Sequence, residues 1–272
     1  MTVKQRCITL SRSLAIAVVT VMLAGTALAQ TETVLHNFQG NSDGATPMSG
    51  LVADKAGNLY GTTHFGGGSN ALCGAGCGTV FEWTPPSGTG GHWTYSILYR
   101  FGQSSADGVY PQWPLILDAA GNLYGSTLGS ATVGSGTVFE LSPPAVQGGP
   151  WREKILHDFP TPDEAIAESS PLLLDSKGNL YGESQGVLNG LGSIFELSPP
   201  PAPGGDWIYK ILFAFPVGGL QGAISRGGLI WGGDGNLYGV TEKGGGRDLR
   251  GRCFPCSGLR TGTAGNAGRS LD

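Results

Sequence analysis

Apolar and polar positions along this chain fall into short runs that recur in a fixed order. An apolar run ending in Asp, "PLILD" from Pro114, is followed by "NLYGST" from Asn122, "TVFELS" from Thr137 and "WREKILHDF" from Trp151. Matching runs come earlier, with "NLYGTT" from Asn58, "TVFEWT" from Thr79 and "WTYSILYRF" from Trp93. They return later, with "NLYGES" from Asn179, "SIFELS" from Ser193 and "WIYKILFAF" from Trp207. Alternation over four to eight residues, bounded by Gly and Pro, predicts half-buried strands. No stretch carries the period of a long amphipathic helix.

The word GNLYG marks the beat, at Gly57, Gly121, Gly178 and Gly235, with spacings of 64, 57 and 57 residues. The longer first spacing reflects an insertion around Cys73. Four strands per unit, joined by tight turns, predict an all-β, β-propeller-like array of four-stranded antiparallel blades, in which one sheet cannot bury both faces until its neighbours pack against it. With three complete units and part of a fourth, the array is incomplete or truncated. "TETVLHNF", Thr31 to Phe38, reads as a lone fourth strand and is expected to pair at the edge of another repeat.

GNLYG itself reads as a turn. Asp54, Asp118 and Asp175 stand three residues before Gly57, Gly121 and Gly178, where a carboxylate accepts turn amide hydrogens while Gly takes positive φ and Asn58, Asn122 and Asn179 tolerate it. In the fourth unit Gly232 takes the Asp position, and Asp234 adjoins Gly235 and Asn236. A residue present in every unit serves what every unit needs; an asymmetric ligand site uses positions where units differ.

Composition agrees with this architecture: 48 Gly and 17 Pro among 272 residues, 13% charged and 40% hydrophobic. Lys4, Arg6 and Arg12 precede the apolar run from Leu14, which ends in Ala27-Leu28-Ala29, so 1–29 reads as a signal peptide and the chain as secreted, cell-surface or periplasmic. That run is short of the ~20 apolar residues of a membrane span, and no other segment spans. Residues 30–246 carry a net charge of −10. With no basic cluster they lack the footprint that nucleic acid requires.

The paired words D-x-x-G-N-L-Y-G-T-T and G-T-V-F-E-L-S-P-P resemble the GloVer tandem repeat of exported bacterial "choice-of-anchor" proteins, over roughly Thr31 to Gly246. The resemblance implies a secreted propeller-type protein with varied C-terminal anchoring. It implies no assigned activity and no catalytic residues.

No catalytic residue, metal site or cofactor is expected. "GESQG" at 182–186 matches a nucleophile elbow, but Ser184 aligns with Thr63, Thr127 and Thr241 inside a strand. Glu82, Glu140 and Glu196, one per unit, do not have the distribution of the two acids that glycoside hydrolysis needs. Asp43 and Asp107 read as turn formers. His36 and His157 share a position with Tyr99 and Phe213, which suggests packing. Trp93, Trp151 and Trp207, at unit spacing, read as blade-to-blade packing. Trp83, Tyr110 and Trp113 are not matched in every unit and are the candidates for an aromatic surface that stacks on sugar. Cys73 and Cys77 are expected to close a local disulfide across the insertion.

From Arg247 to Asp272 the charge reverses to +3. A stretch GGG-ACG-GTG-TTT encodes Gly-Thr-Val-Phe; read one base later it begins GGA-CGG-TGT, Gly-Arg-Cys. Gly251-Arg252-Cys253-Phe254 stands where the fourth "GTVF" is due. Residues 247–272 therefore read as a frameshifted or disordered tail, expected to supply no strand. The function expected is a binding or surface interaction scaffold for an extracellular glycan or surface protein. The alternative is an enzyme of glycoside hydrolase or lyase type acting on extracellular polysaccharide, for which two unit-specific carboxylates must converge.

Overall fold

The computed structural model describes residues 32–69, 72–130, 136–159, 171–184, 192–215, 223–225, 227–243 and 253–255. The expected leader, 1–29, lies outside them, as do Thr31 and most of the tail. Among the described residues there are strands and turns and no helix, and so no helix long and apolar enough to cross a membrane. The chain divides into two units, Met1–Asn37 and Phe38–Asp272. All the strands lie in the second.

Four antiparallel sheets follow one another along the chain. The first holds β1 (Val52–Ala53), β2 (Leu59–Thr63), β3 (Thr79–Thr84) and β4 (Thr94–Arg100). The second holds β5 (Gly108–Pro111), β6 (Ile116–Leu117), β7 (Leu123–Ser130), β8 (Thr137–Ser142) and β9 (Arg152–Asp158). Here β5 and β6 are two pieces of one inner strand, both paired with β7. The third holds β10 (Leu173–Leu174), β11 (Leu180–Ser184), β12 (Ser193–Ser198) and β13 (Ile208–Ala214). The fourth holds β14 (Ala223–Ser225), β15 (Ile230–Trp231), β16 (Leu237–Lys243) and β17 (Cys253–Pro255). This is a propeller-like array, with the same register in every sheet.

Alternation divides each sheet into two unlike faces. Tyr60 and Val80 point forward to the second sheet, where Leu123, Phe139 and Leu141 point back, and these five share one core. Tyr124 and Val138 meet Leu180, Phe195 and Leu197 at the next junction; Tyr181 and Ile194 meet Leu229 and Leu237 at the third. Trp151 lies against Tyr60 with ring centroids 6.3 Å apart, and Trp207 against Tyr124 at 6.4 Å. The Trp of one sheet thus covers the Tyr of the sheet before. Each buried Leu or Phe contributes about 1.5–3 kcal/mol.

The Gly of LYG is fixed by the strand beside it. Gly61, Gly125 and Gly182 pair with Phe81, Phe139 and Phe195. A Cβ at these glycines would lie 2.6, 2.6 and 2.5 Å from the ring's Cζ. The aromatic ring lies across its cross-strand glycine and turns an apolar row into a flat surface.

Two expectations are corrected. Thr31 to Phe38 reads as a lone fourth strand, but its described part, residues 32–38, takes no strand conformation. Phe38 instead packs its ring against Phe81 and Tyr95, at 5.5 and 5.9 Å. The tail does supply a strand. β17 pairs with β16 in the register Gly239↔Phe254 and Val240↔Cys253, that of Gly61↔Phe81 and Thr62↔Val80. Backbone pairing with an open strand edge asks little of side chains, which is why a segment without the Val-Phe-Glu-Leu alternation can take the third position.

Gly125→Ala is expected to destabilise the chain by about 1–3 kcal/mol through overpacking against Phe139. In a urea-unfolding cycle, Phe139→Leu should recover part of that loss in the double variant. Additive effects would show that the ring is not what holds the glycine.

Candidate functional site

The repeated polar residues are committed to turns. Asp54 Oδ1 accepts hydrogen bonds from the amides of Ala56 and Asn58 at 2.8 and 2.9 Å. Its Oδ2 accepts from Asn58 Nδ2 at 2.8 Å and the Tyr60 hydroxyl at 3.1 Å. Asp118 makes the same four bonds with Ala120, Asn122 and Tyr124, and Asp175 with Lys177, Asn179 and Tyr181. Partial burial raises the Asp54 and Asp175 carboxyls, but these bonds outweigh it and hold both below the usual value. Gly57, Gly121, Gly178 and Gly235 take φ of 87°, 90°, 86° and 76°. In the fourth sheet Asp234, from its displaced position, still accepts from Asn236 and from the Tyr238 hydroxyl.

The third-strand acids are similarly engaged. Tyr60 donates to Glu82 at 3.2 Å, Tyr181 to Glu196 at 3.3 Å and Ser142 to Glu140 at 2.9 Å. Ser184 is buried in β11, its hydroxyl 2.8 Å from that of Ser193, in the place of the pairs Thr63–Thr79 and Thr127–Thr137. No nucleophile stands there.

Unit-specific residues gather at the first junction. Cys73 and Cys77 form a disulfide that lies in its core. The Cys77 carbonyl accepts the Tyr110 amide at 2.8 Å, and Tyr110 has φ 64°, an uncommon conformation for a residue with a side chain. Thr46, at the same position in the first sheet, has φ 56°. The Tyr110 ring lies 5.4 Å from both His64 and Phe65, which are 4.4 Å apart. His64 Nδ1 is 3.3 Å from the Pro111 carbonyl, and burial outweighs that contact to lower its pKa. Phe65 remains exposed.

Of the aromatic residues expected to stack on sugar, Tyr110 is in this cluster and Trp113 is half-buried. Trp83 differs. It is buried, with its ring 5.0 Å from Tyr95, in the row where Leu141 and Leu197 stand, so core packing takes up the surface a ligand would need. His64 and Phe65 were the residues sequence reasoning missed. Their position at the open end of β2, beside the insertion, was the available signal.

A second feature of the same junction is a carboxyl pair, with Asp107 buried and Glu153 half-buried. Asp107 accepts the Gln103 amide at 2.8 Å and the Tyr99 hydroxyl at 3.0 Å on Oδ2, and Tyr99 also reaches Glu153 Oε2 at 3.4 Å. Asp107 and Glu153 hydrogen-bond each other. Among the described residues nothing donates to Asp107 Oδ1 or Glu153 Oε1, so one proton shared by the two acids is what satisfies both. Burial, then the Asp107 charge, push Glu153 up to about 8. Glu153 stands where the other units have Tyr95 and Tyr209; an acid in an aromatic row was the signal for it.

Another unit-specific acid, Glu183, is fully buried at the third junction, with Oε1 3.3 Å from where a Cβ on Gly239 would lie. His157, lowered to about 4 by burial, stacks on Tyr209 at 4.3 Å and 8°. Among the described residues no group of three or more His, Cys, Asp or Glu is placed to hold a metal ion.

Two outcomes follow from this geometry. The folded chain holds a proton on Glu153 that the unfolded chain releases above its ordinary 4.5, so the pair's contribution is complete below that pH and is lost as pH rises toward 8. Glu153→Gln should flatten the fall in unfolding free energy between about pH 5 and pH 8, by on the order of 2 kcal/mol, in urea titrations. An unchanged slope would dismiss the shared proton. Replacing Cys73 and Cys77 by Ser should cost on the order of 2 kcal/mol or less, because the closed loop is short. Hydrogen exchange should then quicken at the Gly76, Gly78 and Tyr110 amides and not at the distant turn of Gly178.

The profile of the Gloeobacter/Verrucomicrobia repeat matches residues 18–254, most of the chain, and it spans all four sheets. No curated protein matches the chain. The repeated turn, the glycine beneath its aromatic ring and the alternating faces are thus the body of one known repeat, and the chain belongs to the Gloeobacter/Verrucomicrobia, or GloVer, repeat family.

Proposed function

We propose that the chain is an exported repeat scaffold that binds an extracellular partner, with a glycan as the class its exposed aromatic residues suit, and performs no chemistry on it. The observation that carries this reading is how unit-specific side chains are distributed. The acids among them are drawn into separate junctions, Asp107 buried beside half-buried Glu153 at the first and Glu183 fully buried at the third. The residues left at the surface, Phe65 with half-buried His64 and Tyr110, are aromatic and rest on a loop clasped by a disulfide. Aromatic faces on rigid support suit stacking on sugar rings, since little conformational freedom is lost on binding.

The enzymatic alternative needs two carboxyls about 5–9.5 Å apart, with room for a sugar bond and water between them. Among the described residues Asp54 with Glu82 and Asp175 with Glu196 meet on a shared tyrosine hydroxyl and recur with the repeat, whereas Asp107 and Glu153 are a converging pair specific to one unit. They hydrogen-bond each other directly, with Asp107 buried, which leaves no such room. Export rests on the basic, apolar and A-x-A segments of 1–29.

The mature chain, titrated with soluble β-glucan, xylan and mannan oligosaccharides, should bind at least one of them. Phe65→Ser with Tyr110→Gly should abolish that binding and leave the melting temperature within about 4 °C of the parent. Incubation with the parent polysaccharides should release no reducing ends. Release that disappears in Glu153→Gln would replace this reading with the enzymatic one.

A further inference from the structure

His64 occupies a place where the repeat has no common use for an imidazole. It follows Thr63 as Leu128, Gln185 and Glu242 follow Thr127, Ser184 and Thr241. Phe65 stands where the other units have Gly129, Gly186 and Lys243. The two ring nitrogens of His64 are in different situations. Nδ1 lies 3.3 Å from the Pro111 carbonyl, which can only accept, so Nδ1 carries the hydrogen. In the neutral ring Nε2 is then a bare lone pair, an acceptor with no hydrogen to give. Among the described residues nothing hydrogen-bonds Nε2. His157 Nε2 also lacks a partner, but that atom is fully enclosed; His64 Nε2 is not.

The surroundings keep this ring neutral. Burial lowers its pKa from the ordinary 6.5 and outweighs the Pro111 carbonyl, which raises it, and no charged side chain contributes. The groups packed on it are Thr46, whose carbonyl accepts the His64 amide, Phe65 from its own strand end, and Pro111 and Tyr110 from β5; the Tyr110 phenol is the titratable group among them. That phenol is also unlike its counterparts. The hydroxyls of Tyr60, Tyr95, Tyr99, Tyr124, Tyr181 and Tyr238 each donate within the protein. Among the described residues the Tyr110 hydroxyl has no partner. An exposed apolar ring, an acceptor nitrogen and a hydroxyl thus lie together on one disulfide-clasped junction.

We propose, resting on the glycan binding inferred above, that this cluster takes an uncharged glycan, one sugar hydroxyl donating its hydrogen to His64 Nε2 while a sugar face lies on Phe65. A lone pair without a hydrogen suits a hydroxyl and repels a carboxylate or sulfate, whose oxygens only accept. The net charge of −10 over residues 30–246 opposes a polyanion as well. The apolar ring of Phe65 matches the C–H face of a sugar, and its rigid support keeps the cost of ordering small. Protonation turns Nε2 from acceptor to donor, so an acidic medium removes the contact.

Calorimetric titration of the chain compares the β-glucan, xylan and mannan oligosaccharides with oligogalacturonate. At least one neutral probe should bind about tenfold or more tightly than the acidic one. His64→Phe, which keeps a ring beside Phe65 and Tyr110 but no acceptor, should weaken that binding about tenfold. His64→Gln, whose amide oxygen accepts, should recover part of it. Between about pH 7 and pH 4, where Glu153 keeps its proton, the parent's affinity should hold at first and fall below 6.5 as His64 takes up a proton, whereas that of His64→Gln should stay level. Melting and far-UV circular dichroism check the variants, and the parent's own pH profile serves even where a variant misfolds. Binding that His64→Phe leaves unchanged, but that Phe65→Ser with Tyr110→Gly abolishes, overturns the role of His64 and leaves glycan binding standing. A preference for oligogalacturonate, or a parent affinity level down to pH 4, also overturns the proposal. A parent that binds none of the four probes overturns glycan binding itself, and the role of His64 with it.

Discussion

A sheet of four short strands with apolar residues on both faces has no stable existence alone, and the fit of one sheet's forward face to the backward face of the next is the constraint from which the rest of this molecule follows. The two faces are unlike by construction. Tyr60 and Val80 look forward; Leu123, Phe139 and Leu141 look back. For the backward face to be flat enough to receive a tyrosine and a valine, the Phe ring must lie across its strand neighbour, and only glycine at 61, 125 and 182 leaves space for it. The LYG and VFEL words are thus two halves of one packing device, which explains why they recur together at one period.

The turn is a separate device that meets a separate need. Each carboxylate at Asp54, Asp118 and Asp175 gathers two amides, a carboxamide and a tyrosine hydroxyl. The hydroxyl belongs to the same Tyr whose ring fills the junction, so the turn also sets how that ring meets the following sheet. In the fourth sheet Asp234 reaches the same Tyr and Asn from a different backbone position. The network therefore depends on where the carboxylate arrives rather than on where it starts. A chemical site would not have survived that displacement; a turn does.

The fold was legible because the repeat displays it four times, and each recurrence removes alternatives: alternation in "TVFELS", a turn at "DAAGNLYG", a Trp-led outer strand. What escaped was set by neighbours that one sequence does not bring together. Trp83 differs from Leu141 and Leu197 in type, which made it look like a surface residue, yet the register puts all three in the same buried row. Segment 32–38 has a strand's alternation, but a strand needs an edge to pair with, and the sequence pattern says nothing about whether one is in reach. β17 shows the reverse: Arg252-Cys253-Phe254 has no such alternation, yet β16 offers an open edge and the backbone of 253–255 takes it. Glu153 and Asp107 were visible as letters; their convergence was not, because Asp107 lies in the bend before β5 and Glu153 on β9, and they meet under a tyrosine from β4.

The first junction thus carries both departures from the repeat's logic. Where the second junction stacks His157 on Tyr209, the second sheet places an acid in the aromatic row, and the conflict is resolved locally, by Asp107, by Tyr99 from the preceding sheet and by one shared proton. Replacing such a pair by well-packed apolar groups is often neutral or stabilising, so stability alone does not explain it. The same junction also buries the disulfide, and the Cys77 carbonyl holds the Tyr110 amide across from sheet to sheet. The aromatic rim and the acid pair therefore sit at one junction, each tied from the first sheet to the second, by the Cys77–Tyr110 and the Tyr99–Glu153 hydrogen bonds. A change in how the first two sheets meet would be felt at Tyr110, in a cluster that presents to solvent, beside exposed Phe65, something the repeats do not share.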